Sequence, residues 1–250
     1  TIISQWFEDH LADSGPDFSS NRKKLLKYDN FITSNFITTH PSTLNFLKKK
    51  KNFHYLPIPV DKNIEKLKIY ENINQINDVF FSMSHGVNRG KLKRDKQDER
   101  HNFISELISE CPNIIFDIYG YKDREPVWAD DFYKVIVNSK MALNLTRGKP
   151  LKYLTSNRIA SLIGNGLLTF IDKKTKLDNF FSSDEVVFYS GLQDLANKIN
   201  FYKSNDKSRV RIAKNGRRRY FDLFECQKVS EYIVSKSFNR ETSKKLKWMD

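Results

Sequence analysis

Cysteine is nearly absent. Only Cys111 and Cys226 occur in 250 residues, too few for a disulfide framework, and neither sits in a CxxC or comparable metal spacing. A reducing, cytoplasmic location is therefore the expectation. Long apolar runs are missing too, and nothing approaches the roughly 18 residues that a membrane-spanning helix needs. No basic head, apolar stretch and small-residue cleavage site opens the chain, so no secretory signal is legible. It starts Thr1-Ile2-Ile3 without Met, which reads as a strand already under way and predicts a start inside a longer protein. Neither GxxxxGK[ST] nor GxGxxG is present, so ATPase and dinucleotide-binding readings lose their main support. The histidines, His10, His40, His54, His85 and His101, are scattered without zinc spacing. No catalytic triad is visible.

Positive charge is in excess. Lys and Arg number 43 against 30 acids, a formal charge of +13. The chain is also rich in Asn, Ile, Phe and Tyr, which AT-rich codons favour together with Lys, so much of this charge reads as a solvated surface. What remains attracts anions, whether phosphate, anionic lipid headgroups or nucleic acid. No nucleic-acid-binding motif accompanies it, so no specific nucleic-acid partner is expected, while a peripheral contact with an anionic membrane stays open. A mean hydropathy of −0.61 with 39% hydrophobic residues suits a soluble globular chain holding one complete domain and part of another.

The chain divides near residue 60. Residues 1–9 (TIISQWFED) read as a strand running into a loop, 21–28 as a short helix and 29–34 (DNFITS) as a buried strand. Residues 41–51 read as a helix ending in four lysines, favourable at the negative end of its dipole. Residues 53–60 (FHYLPIPV) form a strand that Pro57 and Pro59 turn into a connector, and 61–77 are polar and lysine-rich. From 78 onward the pattern is regular. Short apolar strands at 78–82, 114–119, 141–146, 167–171 and 185–189 alternate with helical stretches at 98–111, 130–139 and 155–165. Residues 177–181 read as a short turn or helix. Three further helices follow at 192–202, 208–221 and 226–235. Such alternation predicts an α/β fold with a Rossmann-like, doubly wound parallel sheet. The expected division is 1–60 as the tail of a first lobe, 61–77 as connector and 78–250 as the Rossmann-like domain.

Ligands of such sheets bind beyond the carboxyl ends of the strands, and three loops there carry candidate chemistry. In SHGVNRGKLKR, residues 84–94, Gly86 and Gly90 permit close backbone approach, and Arg89, Lys91, Lys93 and Arg94 suit a diphosphate. YLTSNR, residues 153–158, opens a helix that Thr155 or Ser156 can cap, with Asn157 and Arg158 in its first turn facing an anion. Tyr119-Gly120-Tyr121 ends a strand ahead of Trp128, a place for a flat base against backbone and an aromatic face.

The order of these motifs is recognisable. LNLTRGKPLKYLTSNRIASLIGNGLLTFIDKKTKLDNFFSSDEVVFY, residues 143–189, is similar to the core of group 1 glycosyltransferases of the spore-maturation-protein-like type. There a strand ends in Leu-Asn, an Arg opens a helix, a Gly ends it, and an apolar strand and a Val-Val-x-Tyr strand follow. RVRIAKNGRRRYF resembles that family's Arg-x-x-Ile-Ala-x-x-Gly-Arg segment. Upstream, HYLPIPVD resembles its interdomain connector and FFSMSHG the first strand of its donor-binding domain, so the match runs over about residues 53–233. YLTSNR also resembles the Tyr-Val-Thr-Glu-Lys segment of fucosyltransferases, without its Glu and Lys. The resemblance implies a two-domain GT-B fold, a nucleotide sugar held mainly by the C-terminal domain, and no required metal or cofactor. Asp130-Asp131 is also not the separated acidic pair that holds a metal in the other large glycosyltransferase fold. Arg158 would meet the diphosphate with the 84–91 loop above it. Many relatives carry a ribose-binding Glu three residues after this Arg, where this sequence has Ser161. Loops and resemblance together give a donor-binding set of Gly86, Arg89, Lys91, Tyr119, Gly120, Asn144, Thr155, Ser156, Asn157, Arg158 and Ser161. The expected activity is transfer of a sugar from a nucleotide-diphosphate donor to a hydroxyl of a glycan, lipid or protein acceptor. The alternative is a non-catalytic sugar-nucleotide or polyanion-binding module. The sequence names no general base and does not separate retention from inversion.

Overall fold

A computed structural model describes residues 1–13, 17–84, 87–88, 91–92, 99–241 and 247–248. Two parallel sheets organise it. The first joins β1 (Ser4–Phe7), β2 (Ser34–Ile37) and β3 (Phe53–Tyr55) in that order, with α1 (Phe18–Leu26) between β1 and β2. β2 lies in the middle, so all four of its residues are buried, polar Ser34 and Asn35 included.

The first 60 residues depart from the sequence expectation in two places. The strand expected at 29–34 begins only at Ser34, because residues Asp29–Phe31 form a 3₁₀ turn that leaves Phe31 73% exposed. The Asp29 carboxylate accepts from the Asn35 amide at 3.1 Å and also meets Lys50, which fixes the turn at the amino end of β2. The helix expected at 41–51 is replaced by two 3₁₀ turns, Pro41–Thr43 and Asn45–Leu47, with extended backbone at Leu44. Leu44 and Leu47 are both buried. Apolar residues three apart satisfy a three-residue turn as well as an α-helix, so spacing alone misled.

Proline ends β3 as expected, and the chain crosses at Val60. There it forms a parallel bridge with Glu225, where Val60 N–H donates to the Phe224 carbonyl and Cys226 N–H to the Val60 carbonyl, both at 2.9 Å. Outgoing and returning segments thus run side by side. After β4 (Asn77–Ser82), the short strands β5 (Val87–Asn88) and β6 (Lys91–Leu92) pair antiparallel. Then come α2 (Glu99–Glu110), β7 (Phe116–Tyr119), α3 (Ala129–Ile136), β8 (Ser139–Asn144), α4 (Asn157–Gly164), β9 (Leu168–Asp172) and β10 (Val187–Tyr189). Helices α5 (Leu192–Lys203), α6 (Asp206–Phe224) and α7 (Cys226–Ser237) complete it.

The second sheet is wholly parallel, in the order β10-β9-β8-β4-β7. Both faces are covered, and side-chain alternation shows how. Val79, Phe81, Met141 and Leu143 point to the layer holding Ile104, Leu107, Leu195 and Ile199 of α2 and α5. Phe80 and Ala142 point the other way, to Ile136 of α3 and Leu162 of α4. Successive strand residues alternate faces, so near-continuous apolar strands are what a doubly covered sheet demands. The chain starts at β4, moves outward to β7, then returns to the other side of β4 with β8. The switch point, where such sheets open a crevice, therefore falls between β4 and β8.

Candidate functional site

Two adjoining cavities of about 550 and 510 Å³ lie beyond the carboxyl ends of β4 and β8, against the loop that follows β1. Glu8, Asp9, Ser84, Ser156 and Arg158 line both, so they form one cleft with two ends.

Its floor is the start of α4. Ile159, Ala160, Leu162 and Ile163 of that helix are buried, which fixes its orientation and turns Asn157, Arg158 and Ser161 toward the cleft. Ser156 occupies the N-cap in an extended conformation, but its side chain makes no capping bond. The first N–H groups of a helix have no partner within it, so the positive end of α4 faces the cleft without its usual side-chain cover. Asn157 gives its amide to the Glu8 carboxylate at 3.2 Å.

Arg158 Nη1 donates to the Leu145 carbonyl at 2.9 Å, and its guanidinium sits 4.9 Å from the Phe81 ring centroid. No carboxylate pairs with it among the described residues. Burial lowers its pKa to about 9, and the neighbouring Arg100 cation adds to the shift. It stays charged at neutral pH, as a desolvated cation beside a second one. Arg100 is itself buried and lines the adjoining cavity.

The far end is aromatic. Trp128, 53% exposed, and Phe132 and Tyr133 of α3 border the larger cavity with Ser161. Burial raises the Tyr133 pKa, opposed by a hydrogen bond with Ser161. Ala129 opens α3 at a φ of 48°, a left-handed conformation costly for a residue with a Cβ. Strain of this kind is often held at functional sites.

The other expected site residues fall as follows. Thr155 is buried, lines the smaller cavity and donates its N–H to the Thr38 carbonyl at 3.1 Å. Asn144 ends β8 and is buried, with a side-chain oxygen that has no partner among the described residues, yet it does not border the cleft. Tyr119 and Gly120 do not border it either. The Arg124 guanidinium lies 3.7 Å from the Tyr119 ring centroid. Gly120 has a φ of 73°, and a Cβ there would come 1.8 Å from the Met83 carbonyl oxygen, so close strand packing explains this glycine. Gly86 and Arg89 lie outside the described residues, and of Lys91 only the backbone, in β6, is described.

Arg100, Tyr133, Glu8 and Asp9 were not anticipated. Arg100 and Tyr133 sit in stretches whose only sequence signal is helical. The two acids had a signal, since they end the first strand and the carboxyl-end rule applies to that sheet as well. Among the described residues no group of three or more His, Cys, Asp or Glu side chains is placed to hold a metal, and no helix is long and apolar enough to cross a membrane.

The model of a glycosyl transferase-like family matches residues 96–235. No curated protein matches the sequence. Among solved structures, Anabaena HepE in complex with UDP and glucose aligns with a TM-score of 0.65 at 13% identity, over 95% of this chain and 72% of HepE. TarM of S. aureus aligns at 0.62 and 13% identity, over 94% of this chain and 50% of TarM. T4 phage BGT in complex with UDP and Mn2+ aligns at 0.51 and 14% identity, over 95% of this chain and 74% of BGT. At such identities these likenesses speak to the fold, and they give the GT-B architecture. With the family model covering more than half of its length, the chain belongs to the glycosyl transferase-like family of GT-B enzymes.

Proposed function

We propose that this chain holds a nucleotide-diphosphate sugar in the β4/β8 cleft and transfers its sugar to a hydroxyl acceptor. The observation that carries the reading is Arg158, a desolvated cation with no carboxylate partner among the described residues, beside Arg100 and the uncapped start of α4. A diphosphate supplies the missing counter-charge. Charge builds on that group as the sugar–phosphate bond breaks, and donors fixed in advance lower the barrier for it. The ribose and base then extend toward Ser161, Tyr133 and Trp128. The sugar lies toward Glu8 and Asp9, on the side where the first sheet faces the cleft, and residues 1–60 serve as the end of an acceptor-side lobe. Because HepE and BGT are described with UDP, UDP is the first probe.

Transfer assays with UDP-, GDP- and dTDP-sugars and a panel of acceptors, using the full-length protein, test this reading. Each assay is run with Mn2+ and with a chelator, which tests the expected metal-independence. Release of nucleoside diphosphate coupled to a glycosylated product supports it. Tight donor binding without turnover favours the binding-module alternative, which Ser161 in place of a carboxylate invites.

A further inference from the structure

The pole opposite the cleft carries its own pattern. At the amino ends of the second sheet, Ile73, Ile76 and Ile115 are 92%, 70% and 54% exposed, and Phe201 in the last turn of α5 is 53% exposed. Neighbouring strands lie about 5 Å apart, and the contacts tie these chain ends together. Asp78, at the start of β4, accepts from Ile115 N–H at 3.0 Å and pairs with Lys203 at 2.8 Å and Lys140 at 3.2 Å. Gln75 reaches the Ser139 carbonyl at 2.8 Å, and Arg209 of α6 reaches the Lys140 carbonyl at 3.3 Å. The start of α6 therefore borders the same pole. From there Lys207, Arg211, Lys214 and Arg218, all exposed, recur every three or four residues along one helix face, Arg211 pairing with Asp184 at 3.2 Å.

We propose that this pole docks on an anionic lipid bilayer. Here exposed apolar side chains stand beside Lys207, Lys214 and Arg218, which have no acidic partner among the described residues, while Asp206 of α6 and Asp184 before β10 are already paired with Arg209 and Arg211. The apolar groups project singly, from before β4, from before β7 and from the end of α5. Scattered projections of this kind suit a fluid headgroup layer, which takes isolated side chains without shape complementarity. Cations beside them meet anionic headgroups, and long stems let them follow the interface. The contact is peripheral, and it goes beyond the donor reading without depending on it.

Sedimentation of the full-length protein with phosphatidylcholine vesicles, alone or mixed with phosphatidylglycerol, tests it. Binding is expected to the mixed vesicles only and to weaken as salt rises. Ile73→Ser combined with Ile76→Ser should weaken it roughly tenfold or more, since association scales with the apolar area inserted. Lys207→Glu should also weaken it. These side chains are exposed, so melting temperature and UDP affinity should not move, and Ile115→Ser serves as a second apolar variant should the double one fold poorly. No binding to mixed vesicles, or binding that these variants leave intact, overturns the proposal. So does a protein complex that the same variants abolish in the absence of any vesicle binding.

Discussion

Arg158 and Ser161 carry opposite lessons about burial. Burial lowers the pKa of Arg158 to about 9, so the unfolded chain binds more protons than the folded one above that pH. The charged guanidinium is thus a cost to the empty fold at neutral pH, and stability from this group rises as pH climbs past about 9. An anion bound in the cleft reverses the balance. Ser161 lies one turn along the same helix face, half-buried beside the Tyr133 hydroxyl. Ser161→Glu adds an acceptor-only carboxylate, and Tyr133 can donate to it. UDP binding should tighten by about 1 kcal/mol after desolvation. A large melting drop without gain in affinity would show instead that Glu buries an unpaired charge.

Helix α4 shows how an element divides its use between stability and binding. Its N-cap residue leaves the first N–H groups without a side-chain acceptor. Ser156→Asp would supply one and raise the unliganded melting temperature, a cap being worth about 1 kcal/mol. The same carboxylate would repel a diphosphate, so UDP affinity should fall. A variant that gains both would remove α4 from the site. Gly120→Ala should destabilise by about 1–3 kcal/mol in urea unfolding, because a non-glycine residue is strained at its φ of 73°. The contact with Met83 adds to that. The second sheet was legible because each of its strands is a short apolar run between helical stretches. The first was less so, since β2 is central yet half polar and the stretch at 41–51 satisfies two periodicities. In the site, the opening of α4 was readable from YLTSNR and its place after a strand. Arg100, Tyr133 and Glu8 reach the cleft from three distant parts of the chain, and only the folded packing brings them there.

At the scale of the whole molecule, the cleft lies where the two sheets meet, so a ligand filling it would contact both. Asn157–Glu8 and Arg147–Asp17, at 3.2 and 3.3 Å, already link their residues across it. A ligand that binds only the folded state stabilises it by mass action, by about 2.7 kcal/mol at a hundredfold excess over Kd, so UDP should raise the melting temperature of the entire chain. The most direct test of the central claim is equilibrium titration of UDP into the wild-type protein and Arg158→Ala, with both unliganded melting temperatures measured alongside. Loss of a charge-assisted contact costs about 1.5–3 kcal/mol, and the account predicts roughly 10- to 150-fold weaker binding with no matching loss of unliganded stability. Equal affinity in the two proteins, or a variant that melts early yet binds UDP normally, would contradict it.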